Sequence, residues 1–214
     1  MCLLSLFLTP ALARDADGFT PREPALKQPG HWEWAWDGTD ALGVGVLATV
    51  HYQPTGPARI VINGPDELLE HLRVGQGQIR LPCDQCHYDS GKLDITVSGV
   101  ALRNVALQGS GEILLGRLDQ DQLNLAISGS GRASAEGRID RLELSIAGSG
   151  NVRMGDTKVQ RADIQIAGSG DVTVTPREEA NVHVAGSGNV RMRAMPPRLV
   201  QFITGSGGAR VVGN

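Results

Sequence analysis

The tripeptide Gly-Ser-Gly occurs six times, starting at Gly109, Gly129, Gly148, Gly168, Gly186 and Gly205, with successive spacings of 20, 19, 20, 18 and 19 residues. A period near 19 residues held over nearly half of the chain marks a stacked repeat, in which each unit covers its apolar side only against its neighbours.

Aligning the repeats on the first glycine shows what one unit is. Two positions earlier stand Leu107, Ile127, Ile146, Ile166, Val184 and Ile203, and four positions earlier Val105, Leu125, Leu144, Ile164, Val182 and Gln201. Between them lie Ala106, Ala126, Ser145, Gln165, His183 and Phe202, mostly small or polar. This alternation is that of a strand with one buried face. It resumes after the glycines, where Val152 and Met154 flank Arg153, and Val190 and Met192 flank Arg191. Each unit thus reads as strand, Gly-Ser-Gly corner, strand and a variable polar connection. One rung has no interior, so rungs must stack about 4.8 Å apart with equivalent strands parallel and in register. The expected fold is all-β, a parallel β-solenoid (β-helix-like) with rungs of about 19 residues.

The glycines need no ligand to explain them, since a sharp turn repeated at close stacking distance already calls for them. A phosphate-cradling loop would continue into a helix, and no helical pattern follows any corner. A calcium-binding roll would repeat an acid at fixed spacing, whereas Glu112, Arg132, Asn151, Asp171, Asn189 and Gly208 follow the corners and form no coherent carboxylate cage. No metal site is expected.

The repeated AGSGNVRM and AGSGDVTV, after KLDITVSGV and LQGSGEI, resemble the GIN-type head domain of putative auto-transporter adhesins, over about Trp36 to Val212. The resemblance implies a mostly parallel β-solenoid in an exported protein, and it brings no catalytic or ligand motif to particular positions.

Residues 1–13 read as a secretory signal, with an apolar run from Leu3 that ends in Ala11-Leu12-Ala13. A basic segment is missing ahead of the run, so the signal reads as truncated at its start. Export to the periplasm or cell surface is the expectation. Residues 14–30 contain Pro21, Pro24 and Pro29 and read as a flexible leader. A single solenoid domain is expected over 31–214, with regular repeats from about residue 100. His31 to Trp36 places Trp32, Trp34 and Trp36 on one side of an extended segment, either as a cap over the first rung or as a flat platform for carbohydrate or a partner. Strands are expected over Leu42–Tyr52, Ala58–Ile62, Val74–Leu81 and Lys92–Val97, with a short helix after Gly64-Pro65.

Cys83-Asp84-Gln85-Cys86-His87 matches the C-x-x-C-H pattern of c-type haem attachment. Its polar surroundings favour a small disulfide between Cys83 and Cys86 in an oxidising compartment, or free thiols. Haem held by Cys83, Cys86 and His87, or a metal site, is the alternative; otherwise no cofactor is expected.

Outward positions after the corners give a broken basic stripe through Arg153, Arg191 and Arg210, a candidate binding surface together with the tryptophans. The outward positions five before each corner hold Asn104, Asn124, Glu143, Asp163 and Asn181. Glu143 and Asp163 fall on neighbouring rungs, as in carbohydrate-active β-helix enzymes, yet mixed charges on a solvated sheet are ordinary surface. The reading is therefore a non-enzymatic envelope or surface module, adhesin-like, that binds envelope polysaccharide or protein. A β-helix carbohydrate enzyme and a redox or haem protein are the alternatives. A net charge of −3 argues against nucleic acid as partner. Loss of the apolar pattern at Gln201, beside outward Val200 and Phe202, points to weak self-association through the last rung.

Overall fold

The computed structural model describes residues 19–82 and 91–213. Among them are sixteen strands and one helix. In order these are β1 (Leu26–Gln28), β2 (His31–Ala35), β3 (Ala41–Gly45), β4 (Ala48–Gln53), β5 (Arg59–Asn63), α1 (Asp66–His71), β6 (Arg73–Gly75), β7 (Gln78–Arg80), β8 (Leu93–Ser98) and β9 (Asn104–Gly109). The regular part follows as β10 (Glu112–Gly129), β11 (Arg132–Gly148), β12 (Asn151–Gly168), β13 (Asp171–Gly186), β14 (Asn189–Met192), β15 (Arg198–Gly205) and β16 (Gly208–Val211).

The chain is a parallel β-solenoid of about five turns. Each rung crosses a front wall after its Gly-Ser-Gly corner and returns along a back wall before the next. On the back wall Leu107, Ile127, Ile146, Ile166, Val184 and Ile203 pair in sequence as one in-register column. All but Ile203 are buried. Each such side chain contributes about 1.5–3 kcal/mol of burial, available only once the neighbouring rung is in place. The interior is one continuous apolar cluster from Trp34 to Met192.

The variable connection expected within each rung is itself strand. β10 runs 18 residues without interruption and turns from front to back where its register shifts between Leu115 and Leu118, beside Arg117 at φ +54°. A bend inside a strand keeps the backbone ladder intact where a loop would break it.

At the corners the backbone holds the stack. Ser149 N–H donates to Gly129 O at 2.8 Å and Asn151 N–H to Gly131 O at 2.9 Å. Gly148 sits at φ +122°, and a Cβ there would lie 2.5 Å from Gly129 O. A Cβ on Gly150 would lie 2.7 Å from Ile127 Cγ2. Both glycines of the corner are therefore required by stacking, as the repeat implied.

The N-terminal third interleaves with these rungs. The front wall runs β1-β2-β5-β8-β4-β10-β11-β12-β13-β14-β16, so β4 is sandwiched between β8 and β10 although 39 residues separate β4 from β8 in sequence. On the back wall β3 lies between β7 and β9. Leu42–Tyr52, expected as one strand, is two, because Val46 and Leu47 form the corner between the walls. Val74–Leu81 is likewise a hairpin of β6 and β7 around Gln76 at φ +50° and Gly77. The expected helix is α1, with Leu68 and Leu69 buried.

Residues 19–30, read as part of a flexible leader, are packed onto the fold. Phe19 is buried, Arg22 N–H donates to Val74 O at 2.8 Å, and β1 pairs antiparallel with β2. The prolines that suggest a loose leader leave other backbone groups free to pair, and here they do. The expected signal over 1–13, and the pattern at Cys83, Cys86 and His87, lie outside the described residues. Among the described residues no helix is long and apolar enough to cross a membrane.

Tyr52 locks the N-terminal strands to the first regular rung. It is fully buried; its hydroxyl donates to Val100 O at 2.7 Å and accepts from Leu102 N–H at 3.2 Å. Burial pushes its pKa up. Tyr52→Phe strips a buried donor and a part-buried acceptor of their partner, so urea unfolding is expected to show a loss of about 1–3 kcal/mol with an unchanged slope.

Candidate binding trough

The back wall presents its outward residues as columns, because the parallel register repeats without slip between Gln122 and Gly129 and along the later rungs. One column reads Asn104, Asn124, Glu143, Asp163 and Asn181. The next reads Gly43, Ala106, Ala126, Ser145, Gln165, His183 and Phe202. A third carries Ala147, Ala167 and Ala185. Small side chains in the second column leave a groove of about 630 Å³, floored by Gly43, Ala106, Ala126 and Ser145 and walled by the Asn104 column. A smaller hollow of about 250 Å³ continues it over Ala147, Ala167 and Ala185 to His183 and Phe202.

The Asn column is partly laddered, since Asn124 Nδ2 donates to Asn104 Oδ1 at 2.8 Å and Gln122 Nε2 to Asn124 Oδ1 at 3.0 Å. Glu143 and Asp163 are register neighbours. Two amides followed by two carboxylates make a wall rich in acceptors, with some donors, at the rung spacing of about 4.8 Å.

The β6–β7 hairpin closes the N-terminal end of the trough with Gln76, Gly77 and Gln78. It is pinned from below. Gly77 N–H donates to Asp37 Oδ2 at 2.6 Å, and Gly43 N–H donates to Gly77 O at 2.7 Å. The other oxygen of Asp37 accepts from Thr39 N–H at 3.2 Å and from Thr39 Oγ1 at 2.9 Å. Asp37→Ala is expected to cost about 1–3 kcal/mol in chemical unfolding, from the charged hydrogen bonds lost, and to weaken any ligand held at this end about tenfold.

The structure does not bring the other candidate binding residues to this trough. Arg153, Arg191 and Arg210 fall on one front-wall column, as the repeat implied, but Thr173 interrupts it and Arg191 lies 3.7 Å from Asp171. Trp34 and Trp36 are 2% and 9% exposed, and their indole N–H groups donate to Arg22 O and Thr39 O. Trp32 is partly buried, with Lys27 Nζ 4.5 Å from its ring centre. The platform reading of the tryptophans is therefore corrected. Residues 19–30 and the Trp36–Thr39 turn cover the rings, which close the N-terminal end of the core. His183 is exposed, 6.1 Å from the Phe202 ring. Among the described residues no three His, Cys, Asp or Glu side chains are grouped to hold a metal.

The trough floor was visible in the sequence as the small-residue column, without any sign that it was concave. The hairpin that closes it gave no local signal, because its place on the back wall depends on pairing with β3.

Comparison with known proteins places this geometry. Residues 46–196 match the family described as "Putative auto-transporter adhesin, head GIN domain". Among solved structures, an adhesin from Bacteroides fragilis, described as putative, superposes with a TM-score of 0.68 at 18% identity, covering 85% of this chain and 96% of that one. A "putative lipid binding protein" from Parabacteroides distasonis gives 0.51 at 19% identity, over 85% and 96% of the two chains. A "putative adhesin" from Parabacteroides merdae gives 0.51 at 16%, over 85% and 95%. At these identities the likeness is one of fold. No curated protein matches the chain.

Proposed function

Because the chain belongs to the family described as "Putative auto-transporter adhesin, head GIN domain", we propose that it is a non-catalytic binding module of the cell exterior, periplasmic or surface-displayed, that holds an elongated neutral glycan along its back-wall trough. The observation that carries this reading is the in-register trough itself, with its floor of Gly43, Ala106 and Ala126 beside a wall of Asn104, Asn124, Glu143 and Asp163.

A floor of small side chains lets a ligand lie against the strands. Amide and carboxylate groups repeated along the axis suit a chain of hydroxyls, each both donor and acceptor. The two carboxylates disfavour an anionic polymer, since like charges facing each other across a contact cost several kcal/mol. A lipid, which the name of the Parabacteroides distasonis protein would bring to mind, is served better by an enclosed apolar cavity than by an open polar trough.

An array of neutral, cationic and acidic oligosaccharides tests the reading. Neutral members are expected to be retained and acidic ones excluded, without shortening of the bound chains. Selective retention of acidic members, or release of new reducing or unsaturated ends, would overturn it; release of ends would move Glu143 and Asp163 to a catalytic role.

A further inference from the structure

The two ends of the sheet are finished differently. At the N-terminal end the outermost front strand, β1, is three residues long and carries Lys27 over Trp32. Short, charged edges discourage further pairing. At the other end β15 is eight residues long and pairs with β13 on one side, its opposite edge having no strand partner among the described residues. Five of the seven large apolar side chains exposed among the described residues lie here: Met195, Val200, Phe202, Ile203 and Val211. Phe202 is 65% exposed and Val200 55%.

We infer that a second copy of the chain covers this end, with β15 pairing antiparallel to β15 of the partner about a two-fold axis at Gln201. The register follows from parity. Facing residues of an antiparallel pair project to the same side. Val200 and Phe202 extend the outward columns of Asn181 and His183, whereas Leu199, Gln201 and Ile203 extend the inward columns of Ala180, Val182 and Val184. A two-fold pairing must therefore centre on a residue and not between two. Centring on Phe202 sets Gln201 against the partner's Ile203. Centring on Gln201 instead sets Val200 against the partner's Phe202, Leu199 against the partner's Ile203, and the two Gln201 amides against each other. Apolar then meets apolar on both sides, and the break in the inward pattern at Gln201 becomes an amide pair on the axis.

The area is adequate. Two strands of eight and four residues, at about 3.3 Å per residue and in two layers about 10 Å apart, present roughly 500 Å² per copy, or about 1,000 Å² in total, the lower bound of a biological interface and the size of a weak one. A last rung that merely faces water also needs a polar inward residue, which Gln201 supplies. That role leaves the outward Val200 and Phe202 unexplained. The same two-fold joins both back walls into one sheet, so the two troughs meet end to end at Phe202. This last consequence rests on the proposed function; the dimer does not.

Sedimentation equilibrium of the full chain tests the inference. A dimer is expected, and Phe202→Asp and Val200→Asp are each expected to abolish it while far-UV circular dichroism is unchanged. In a chain with Cys2, Cys83 and Cys86 replaced by serine, Gln201→Cys is expected to form a covalent dimer on mild oxidation. The facing Cα atoms of an antiparallel pair are about 4.5–5.5 Å apart, within disulfide reach. A monomer at all concentrations overturns the inference. So does a dimer that survives both aspartate variants, or one in which Gln201→Cys fails to cross-link. Glycan binding is read separately, so failure of the dimer and failure of the glycan reading are distinguishable.

Discussion

Replacing Gly148 by alanine is expected to remove a large part of the stability of the solenoid, about 2–6 kcal/mol of a total of about 5–15. Two effects add. Gly148 lies at φ +122°, a region that side-chain-bearing residues adopt only under strain. The added methyl would also sit 2.5 Å from Gly129 O, the carbonyl that accepts from Ser149 N–H. Relief requires the two rungs to separate, which loosens the contact of Ile127 with Ile146 two residues before the corner. Urea unfolding monitored by circular dichroism measures the loss. The same substitution at Gly213, where a Cβ would meet nothing within 4 Å, is expected to change stability by less than about 0.5 kcal/mol. A Gly148→Ala chain as stable as the parent would mean that the rungs do not stack at this distance.

Filling the trough is expected to abolish glycan binding without unfolding the chain. Ala126 is exposed, points outward from β10, and lies between Ala106 and Ser145 on the groove floor. An indole there would stand where the ligand lies, so Ala126→Trp is expected to weaken binding by at least about 100-fold, or about 2.7 kcal/mol. Arg153→Trp, exposed on the opposite wall, is expected to leave affinity within about twofold. Calorimetry with the strongest ligand of the array reads both variants. Equal losses would locate binding elsewhere.

The parts of this fold that were legible in the sequence are those fixed by local pattern. Alternation around Arg153 and Arg191, and the apolar column from Leu107 to Ile203, required strands with one buried side. The glycine period then required parallel, in-register stacking, because no other arrangement covers that side. The register predicted the Glu143–Asp163 neighbours and the Arg153–Thr173–Arg191–Arg210 column as the structure has them. What was hidden depends on pairing between distant segments. β4 and β8 carry the same alternation, so nothing local says that β4 takes the place next to β10. The tryptophans read first as a cap over the first rung, with a platform as the alternative, and the choice was made by residues 19–30 and the Trp36–Thr39 turn folding over them. The trough itself was half legible: its small residues were plain, whereas its walls and its closing hairpin exist only in three dimensions.

The most direct measurement is an amide-resolved NMR titration of the labelled chain with the neutral oligosaccharide that binds best on the array. Shift changes concentrated at Gly43, Ala106, Ala126, Asn124, Glu143 and Gln165, with the front wall around Arg153 and Arg191 silent, are the predicted result. Changes centred on the front wall, with the trough unaffected, would contradict the account.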